Sequence, residues 1–325
     1  MMDNSRISIS FVVIGLNEEV SLDGCFQSIT KAISKLDRAE YEIIYVDSGS
    51  SDRSVDIARG VRNCKIFKLT KNRSASAARK VGELNAKYNY ILFLDGDMLL
   101  DVSFLENIFS ENILSDSTVG CIGLRQENTF NYFRNEFEIK TKDFYKNKNM
   151  SNVKHIGGAF LVRRDVLIKS GGFQPDQIMW EEQLVLSNIM SLGYNIKCIN
   201  IPFIIHNNRK TASYSSNIRS YCKRYGTGYY FSHYIFNSYK NGSFKYTILN
   251  QSPFFCFLGF FSLFLFISFF KVKYALLFLF IFSLIYILVF GKKNLAHSVL
   301  RLLSLVRYFF TSKNKFEFCW KYENK

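Results

Sequence analysis

Three aspartates that end apolar runs are the residues best placed to do chemistry. Asp95-Gly96-Asp97 directly follows Tyr90-Ile91-Leu92-Phe93-Leu94, and Asp47 follows the apolar run Tyr41–Val46. Two carboxylates two positions apart in an extended turn can present oxygens to one hard cation and to a neighbouring hydroxyl. Mg2+ or Mn2+ takes such oxygens together with substrate phosphates, so the pattern suits a metal-bound diphosphate whose developing charge is offset. A D-x-D alone is a weak signal; its place at the end of a buried strand makes it informative. Other chemistries lack support. The four His contain no H-E-x-x-H, the seven Cys no C-x-x-C, and no G-x-G-x-x-G follows the first strand. The cysteine spacing fits reduced, mostly buried thiols.

The surrounding elements must deliver those strand ends to one place. Ile7–Ile14, Tyr41–Val46, Lys65–Leu69 and Tyr90–Leu94 read as strands, alternating with helices over Val20–Leu36, Ser51–Arg62 and Ser74–Lys87. That alternation predicts a Rossmann-like, mostly parallel sheet with right-handed crossovers, whose ligands bind at the carboxyl ends of the strands. Further on, Val119–Leu124 and Ala159–Val162 read as strands. Asn131–Lys146 reads as a polar helix, Glu181–Leu192 as a helix ending at Gly193, and Ser213–Phe236 as a basic, Tyr-rich helical stretch.

The charge is uneven. Of a net +15, residues 1–200 contribute nothing, whereas residues 201–325 hold 17 Lys and Arg against only Glu317 and Glu323. The basic residues flank two uncharged apolar stretches, Pro253–Phe270 and Tyr274–Phe290, split by Lys271-Val272-Lys273. Continuous helix over both would run to nearly twice a ~30 Å hydrocarbon core, so a transmembrane hairpin fits better, with a monotopic hairpin or a buried helix pair as alternatives. This pattern places anionic membrane lipids, and no nucleic acid, among the expected partners. Leu295–Phe310 has a basic face (His297, Arg301) opposite an apolar one, as in a helix lying in the membrane interface or packed on a globular domain. The polar start of the chain runs straight into a strand, so its first 240 or so residues are expected in the cytosol.

Four segments, in order, resemble family 2 glycosyltransferases with the GT-A fold. Val46-Asp47-Ser48-Gly49-Ser50-Ser51-Asp52 resembles the D-D-G-S-x-D signature. Asn72–Gly82 resembles N-x-G-x-x-x-A-R-N-x-G, and Phe93-Leu94-Asp95-Gly96-Asp97 resembles F-L-D-x-D. Gly171-Gly172-Phe173 with Glu181-Glu182 resembles G-G-F and the E-D helix start. The likeness spans about residues 7–226.

The resemblance implies roles by position. Asp47 would contact the nucleobase or ribose, helped by Asn17 and Glu18, and Arg79 would approach the base or phosphates. Asp95 would contact ribose and metal, and Asp97 would be the main ligand of Mg2+ or Mn2+. Glu182, or Glu181 should the helix register differ by one, would take the proton from the acceptor hydroxyl during inverting attack. Gly157, Gly158 and Trp180 would border the acceptor. His206 matches a position where relatives carry a His near the metal or diphosphate; a hydrogen-bonded structural histidine is the other reading. Lys223-Arg224-Tyr225-Gly226 resembles the R-x-x-G region of bacterial exopolysaccharide transferases of this family and would grip the pyrophosphate of the donor or of a lipid-linked acceptor; a membrane-facing basic surface is the other reading. The departures are Ser48 for the second Asp, Lys80 for the Asn of A-R-N, and Glu-Glu for Glu-Asp.

The expected architecture is a GT-A nucleotide-diphospho-sugar transferase domain (1–237), a basic linker (238–252), a hydrophobic helical hairpin (253–290) and a basic amphipathic segment (291–325). The expected activity is metal-dependent, inverting transfer from a nucleotide-sugar donor to a lipid-linked or other glycan acceptor, for surface polysaccharide, on the cytosolic face of the cytoplasmic membrane. The alternatives are a polyprenyl-phosphate glycosyltransferase and a non-catalytic, nucleotide-sugar-binding membrane scaffold.

Overall fold

The computed structural model describes residues 7–131, 136–142, 153, 155–208, 230–270, 272–291, 294–295, 297–303 and 319–323. The chain divides into two compact units, residues 1–212 with 315–325, and residues 213–314.

The first unit is built on one ten-stranded sheet. Its first half is parallel: β1 (Ser8–Gly15), β2 (Glu40–Asp47), β3 (Cys64–Lys71) and β4 (Tyr90–Asp95), in the order β3-β2-β1-β4. The centres of β1, β2 and β4 are buried without alternation, because helices cover both faces. Those helices are α1 (Leu22–Ile33), α2 (Ser54–Gly60) and α3 (Ala75–Asn85). α1 buries Leu22, Cys25, Phe26, Ile29 and Ile33, one stripe at helical spacing. α3 starts at Ser74, whose hydroxyl oxygen accepts from the Ala77 amide at 3.1 Å. Strand addition reverses direction at β1, which opens a crevice above the carboxyl ends of β1 and β4.

The second half of the sheet is mixed. It adds β5 (Met98–Leu100), β6 (Thr118–Asn131), β7 (Glu136–Lys142), β8 (Phe160–Arg163) and β9 (Asn195–Asn208), with helices α4 (Phe104–Ser110), α5 (Arg164–Lys169) and α6 (Glu181–Ser191). β8 runs antiparallel between β4 and β6; β9 is parallel to β6 and antiparallel to β5. The helix expected over Asn131–Lys146 is not present in the described residues: β6 runs to Asn131 and pairs back with β7 from Asn131↔Glu136 to Arg125↔Lys142. The segment Glu-Phe-Glu-Ile-Lys-Thr-Lys alternates charged with less polar residues, a period of two that selects strand over helix. At the far edge Cys319–Glu323 forms β10, antiparallel to β3, with the rings of Trp320 and Tyr322 5.3 and 5.2 Å from that of Phe67. Residues 319–323, within the amphipathic segment expected over 291–325, are therefore sheet.

The second unit is helical: α7 (Tyr230–Lys240), α8 (Phe244–Asn250), α9 (Ser252–Phe270) and α10 (Val272–Phe290). The boundary expected after residue 237 falls inside α7, and the expected linker 238–252 contains α8. Aromatic packing orders that stretch, since Phe244 meets Tyr239 and Phe255 at about 6 Å between rings. α9 and α10 fold back on each other through Phe257, Phe282 and Tyr286, whose hydroxyl donates to the Pro253 carbonyl at 2.8 Å. Among the described residues one helix, Ser252–Phe269, is long and apolar enough to cross a membrane, with mean hydropathy 2.0. Residues 297–303 are helical. Arg301, expected on an outward basic face, is instead buried with its guanidinium 5.2 Å from the Phe231 ring centre, while Val299 is exposed. Stacking on an aromatic face gives that cation a partner inside the unit. Of the rest of the segment, residues 304–318 lie outside the described residues, as do Ser213–Tyr229 and with them Lys223–Gly226.

α3 lies so close on β1 that a Cβ at Gly82 would stand 2.1 Å from Val12 Cγ1. Gly82→Ala is expected to cost about 1–3 kcal/mol in chemical denaturation by overpacking. Val12→Ala in the same chain should recover part of that loss, and strict additivity of the two changes would contradict the close packing.

Candidate functional site

The crevice edge is assembled by strand register. On β1, Gly15 pairs with Asp47 of β2 and Ile14 with Asp95 of β4. The two acids thus stand at the same edge, two strand spacings or about 10 Å apart. The Ser48 and Gly96 amides donate to Gly15 and Ile14 carbonyls, each at 2.8 Å, which ties both turns to the end of β1. Glu18 leans between them: its Cγ lies 3.2 Å from where a Cβ would stand at either Gly15 or Gly96.

Arg79 on α3 joins the parallel half of the sheet to α6. Its side chain is 3 % exposed. Nη2 donates to Asp95 Oδ1 at 2.8 Å and Nη1 to Glu181 Oε1 at 3.3 Å, and Nη2 lies 3.9 Å from Glu182 Oε1. Burial opposes the guanidinium charge, but Asp95, Glu182 and Glu181, in that order, outweigh it and raise its proton affinity. Burial is also the main cause that pushes Glu181 up to about 7, with Arg79 acting against it and Glu182 adding to it. α3 grips the chain leading to α6 as well: Glu83 accepts from the Phe173 amide at 2.9 Å and the Ser76 hydroxyl donates to the Gln174 carbonyl at 2.6 Å.

Glu182 is fixed by a glycine turn. Its Oε2 accepts from the Gly157 amide at 3.0 Å and its Oε1 from the Gly158 amide at 2.7 Å. Both glycines have positive φ, and a Cβ at Gly158 would stand 2.3 Å from Asp95 Oδ2. Only glycine therefore lets the turn aim two amides at Glu182 while pressing against Asp95. Trp180, just before the pair, holds a left-handed backbone (φ 60°), a strain of about 1–2 kcal/mol for a bulky residue.

Asp97 meets His206. β5 and β9 pair Met98 with His206, the Asn207 amide donates to the Asp97 carbonyl at 3.1 Å, and His206 Nε2 lies 3.1 Å from Asp97 Oδ2. On the other side of the ring, Nδ1 lies 2.8 Å from Glu127 Oε2 and 2.7 Å from Arg125 Nη2. Burial works against an imidazolium, but Asp97 and Glu127 outweigh it and raise the His206 pKa. Among the described residues no group of three or more His, Cys, Asp or Glu forms a metal cage by itself. The donor set nevertheless fits a divalent cation. Arg79 faces Asp95, Glu181 and Glu182, three acids against one guanidinium, and Asp97 adds its charge beside Asp95. His206 has its second nitrogen on a buried carboxylate, the arrangement common to metal-ligating histidines. A cation that also takes substrate oxygens needs few protein ligands.

Two other expected site residues brace loops at the same sheet edge. Asp47 is fully buried and accepts from the Gly49 and Ser50 amides at 2.9 and 3.0 Å. Asn17 accepts from the Ser51 amide at 2.9 Å, and its own amide donates to the Ser50 hydroxyl at 2.9 Å. These two brace the loops after β1 and β2 against each other. The structure thus brings together Arg79, Asp95, Glu181, Glu182, Gly157 and Gly158, places Asp97 with His206 next to them, and sets Asp47 and Asn17 apart in the loop cluster. Arg125 and Glu127 were missed from sequence. Their signal, two charges at i and i+2 on one face of a strand, lay in the run read as ending at Leu124.

Removing Arg79 isolates three carboxylates, so Arg79→Met is expected to cost about 3–5 kcal/mol in chemical denaturation. Glu181 supplies a pH test. Its folded pKa lies above its unfolded one, so the native state holds the extra proton, and stability from this group falls as pH rises from about 4.5 to about 7. Glu181→Gln should therefore gain stability relative to the parent chain between pH 5 and pH 8; an unchanged difference would contradict the shift.

Comparison with known proteins bears on this geometry. Residues 10–171 match the family model described as glycosyl transferase family 2. Curated relatives include a cholesterol galactosyltransferase of Borreliella burgdorferi, 22% identical over 66% of this chain and 63% of its own length. A dolichyl-phosphate beta-glucosyltransferase of Drosophila melanogaster is 29% identical over 29% and 32%. An undecaprenyl-phosphate 4-deoxy-4-formamido-L-arabinose transferase of Aeromonas hydrophila is 34% identical over 30% and 31%. The chain thus spans under two thirds of the length of each. Two solved structures share the fold. S. aureus TarS 1-349 has a TM-score of 0.51 at 16% identity, over 62% of this chain and 60% of that one. GalNAc-T7, solved with UDP, GalNAc and Mn2+, has a TM-score of 0.51 at 17% identity, over 64% and 45%. The sheet that carries Asp47, Asp95 and Asp97 is a GT-A fold, and the domain belongs to glycosyl transferase family 2.

Proposed function

We propose that this chain transfers a sugar from a nucleotide-sugar donor to a lipid-linked acceptor at a membrane. The observation that carries the reading is the Arg79 cluster, which gathers Asp95 and Glu182 at a crevice whose far wall is Asp97 with His206. The names of the three relatives support the acceptor class, since each contains a lipid: cholesterol, dolichyl phosphate or undecaprenyl phosphate. The apolar outer faces of α9 and α10, with Phe269, Leu288 and Phe280 among the most exposed residues, support a membrane setting. The acid-poor, basic composition after residue 200 supports a cytosolic face.

Asp97 and His206, with Asp95 beside them, would hold Mg2+ or Mn2+. That cation supplies counter-charge to the nucleoside diphosphate as it departs. Glu182 takes the proton of the acceptor hydroxyl as its oxygen attacks the anomeric carbon opposite the diphosphate; the new C–O bond forms, the bond to phosphate breaks, and configuration inverts. The two glycine amides occupy two of the roughly four lone-pair sites of the Glu182 carboxylate and set its direction, leaving the others for the proton. Glu181 steadies Arg79, and its high proton affinity makes it the second candidate for base. Glu18 lies where the donor enters, Asp47 and Asn17 hold the loops that frame the nucleoside, and Trp180 offers a ring for stacking on an acceptor sugar. Two of the relatives carry polyprenyl-type phosphates in their names, which favours a bare polyprenyl phosphate as the alternative acceptor.

UDP-, GDP- and dTDP-sugars supplied with membrane lipid extract should give nucleotide release that EDTA stops and Mn2+ or Mg2+ restores. Asp97→Ala should abolish it with an unchanged melting curve; full activity in that variant would remove the cation from the reading. Glu182→Gln should lower kcat by about 10²–10⁴-fold with little change in KM. If Glu181→Gln shows that loss instead, the base is Glu181. Replacing the extract with bare polyprenyl phosphate separates the two acceptors.

A further inference from the structure

The imidazole of His206 has two competing partners on one nitrogen. Register makes Glu127 on β6 its direct neighbour across the parallel pair, and Arg125 lies two residues earlier on the same strand. Glu127 Oε2 and Arg125 Nη2 lie 2.8 and 2.7 Å from Nδ1, and the two side chains approach each other at 2.7 Å between Arg125 Nε and Glu127 Oε1. Glu127 is 4 % exposed, so its carboxylate cannot turn to water instead.

A carboxylate only accepts and a guanidinium only donates, so the two partners require opposite forms of a neutral ring. When Nδ1 carries the proton it donates to Glu127, and Nε2 presents a bare lone pair on the Asp97 side. When Nδ1 is bare it accepts from Arg125, and the proton sits on Nε2, where it can only be donated to Asp97. The first form can ligate a cation through Nε2 and the second cannot.

We propose that Glu127 is a positioning residue that aims the Nε2 lone pair of His206 at the cation, and that Arg125 is its opponent, holding the ring in the non-ligating form. This rests on the reading above that Asp97 and His206 hold a divalent cation. Arg125 has a second post that makes it available: its Nη1 also donates to the Gly157 carbonyl, in the turn whose amides fix Glu182. Released from Nδ1, it remains anchored to that turn, so the ligand imidazole and the Glu182 carboxylate share one connecting side chain.

The test is binding of Mn2+ itself to the purified full chain, followed by EPR in separate titrations with UDP, GDP and dTDP and without turnover. Glu127→Gln is expected to weaken Mn2+ binding by about 10–100-fold. Glu127→Asp, which keeps the acceptor on a shorter arm, should retain more of it, and Arg125→Met should bind Mn2+ at least as tightly as the parent. Metal-free nucleotide binding should stay unchanged in the variants that fold, whereas loss of the largely buried Arg125–Glu127 pair is expected to lower the melting temperature in both Glu127→Gln and Arg125→Met. Mn2+ binding by the parent with no loss in Glu127→Gln, or an equal loss in Arg125→Met, would overturn the inference while leaving the transferase reading intact. If Glu127→Gln does not fold, the Arg125→Met result decides alone. A parent chain that binds no Mn2+ with any of the nucleotides would sink the cation site and this inference together.

Discussion

The site depends on one buried guanidinium. Arg79 reaches Asp95 at the end of β4 and both glutamates at the start of α6. These acids come from segments more than eighty residues apart, and without a positive centre their mutual repulsion would drive them apart. α3 can deliver that centre because its own position is fixed twice, by the close approach of Gly82 to Val12 below and by Ser76 and Glu83 holding the chain at 173–174 above. The A-R-K-V-G-E run of this helix is thus a single device: one residue for the sheet, one for the charge cluster and one for the turn leading to α6.

The two halves of the sheet contribute different things. The parallel half supplies an edge, with acids at the ends of β2 and β4 and a crevice where strand order reverses. The mixed half supplies the opposite wall, because β9 pairs with both β5 and β6 and so carries His206 between Asp97 and Glu127. Neither half holds a complete site, and the contact between them runs through Asp95, Gly158 and Glu182.

The parallel half was legible in the sequence for a simple reason. A strand buried on both faces is an unbroken apolar run, and its end is marked where an acid interrupts it, as at Asp47 and Asp95. The mixed half was harder to read. β7 has a period of two written mainly in charged residues, which resembles a polar helix unless its partner strand is known. β10 lies at the far end of the chain from β3, and nothing local in Cys-Trp-Lys-Tyr-Glu says what it pairs with. The site followed the same rule. Arg79, Asp95 and the two glutamates stand in motifs, whereas Arg125 and Glu127 owe their place entirely to the register between β6 and β9. Asp47 carries a second task that its motif did not reveal: its buried carboxylate takes two amides of its own loop. The polar face of residues 297–303 misled for a related reason, since an arginine with an aromatic partner is as well placed inside a helical unit as outside it.

On the proposed reading, charge balance gives the cation and the nucleotide sugar a reason to bind together. Arg79 is set against Asp95, Glu181 and Glu182 while Asp97 stands with His206, and these carboxylates would oppose a diphosphate arriving alone. A divalent cation arriving alone would find two aspartates and an imidazole, too few ligands for a hard ion that favours six or more oxygens or waters. Each would therefore improve the site for the other: the cation would offset the repulsion and the diphosphate would supply the missing oxygens. By thermodynamic linkage the two affinities rise by the same factor. A cage of more protein ligands would bind the metal without the donor and lose that dependence, so on this reading the sparse ligand set would tie occupancy of the cation site to the presence of the sugar nucleotide.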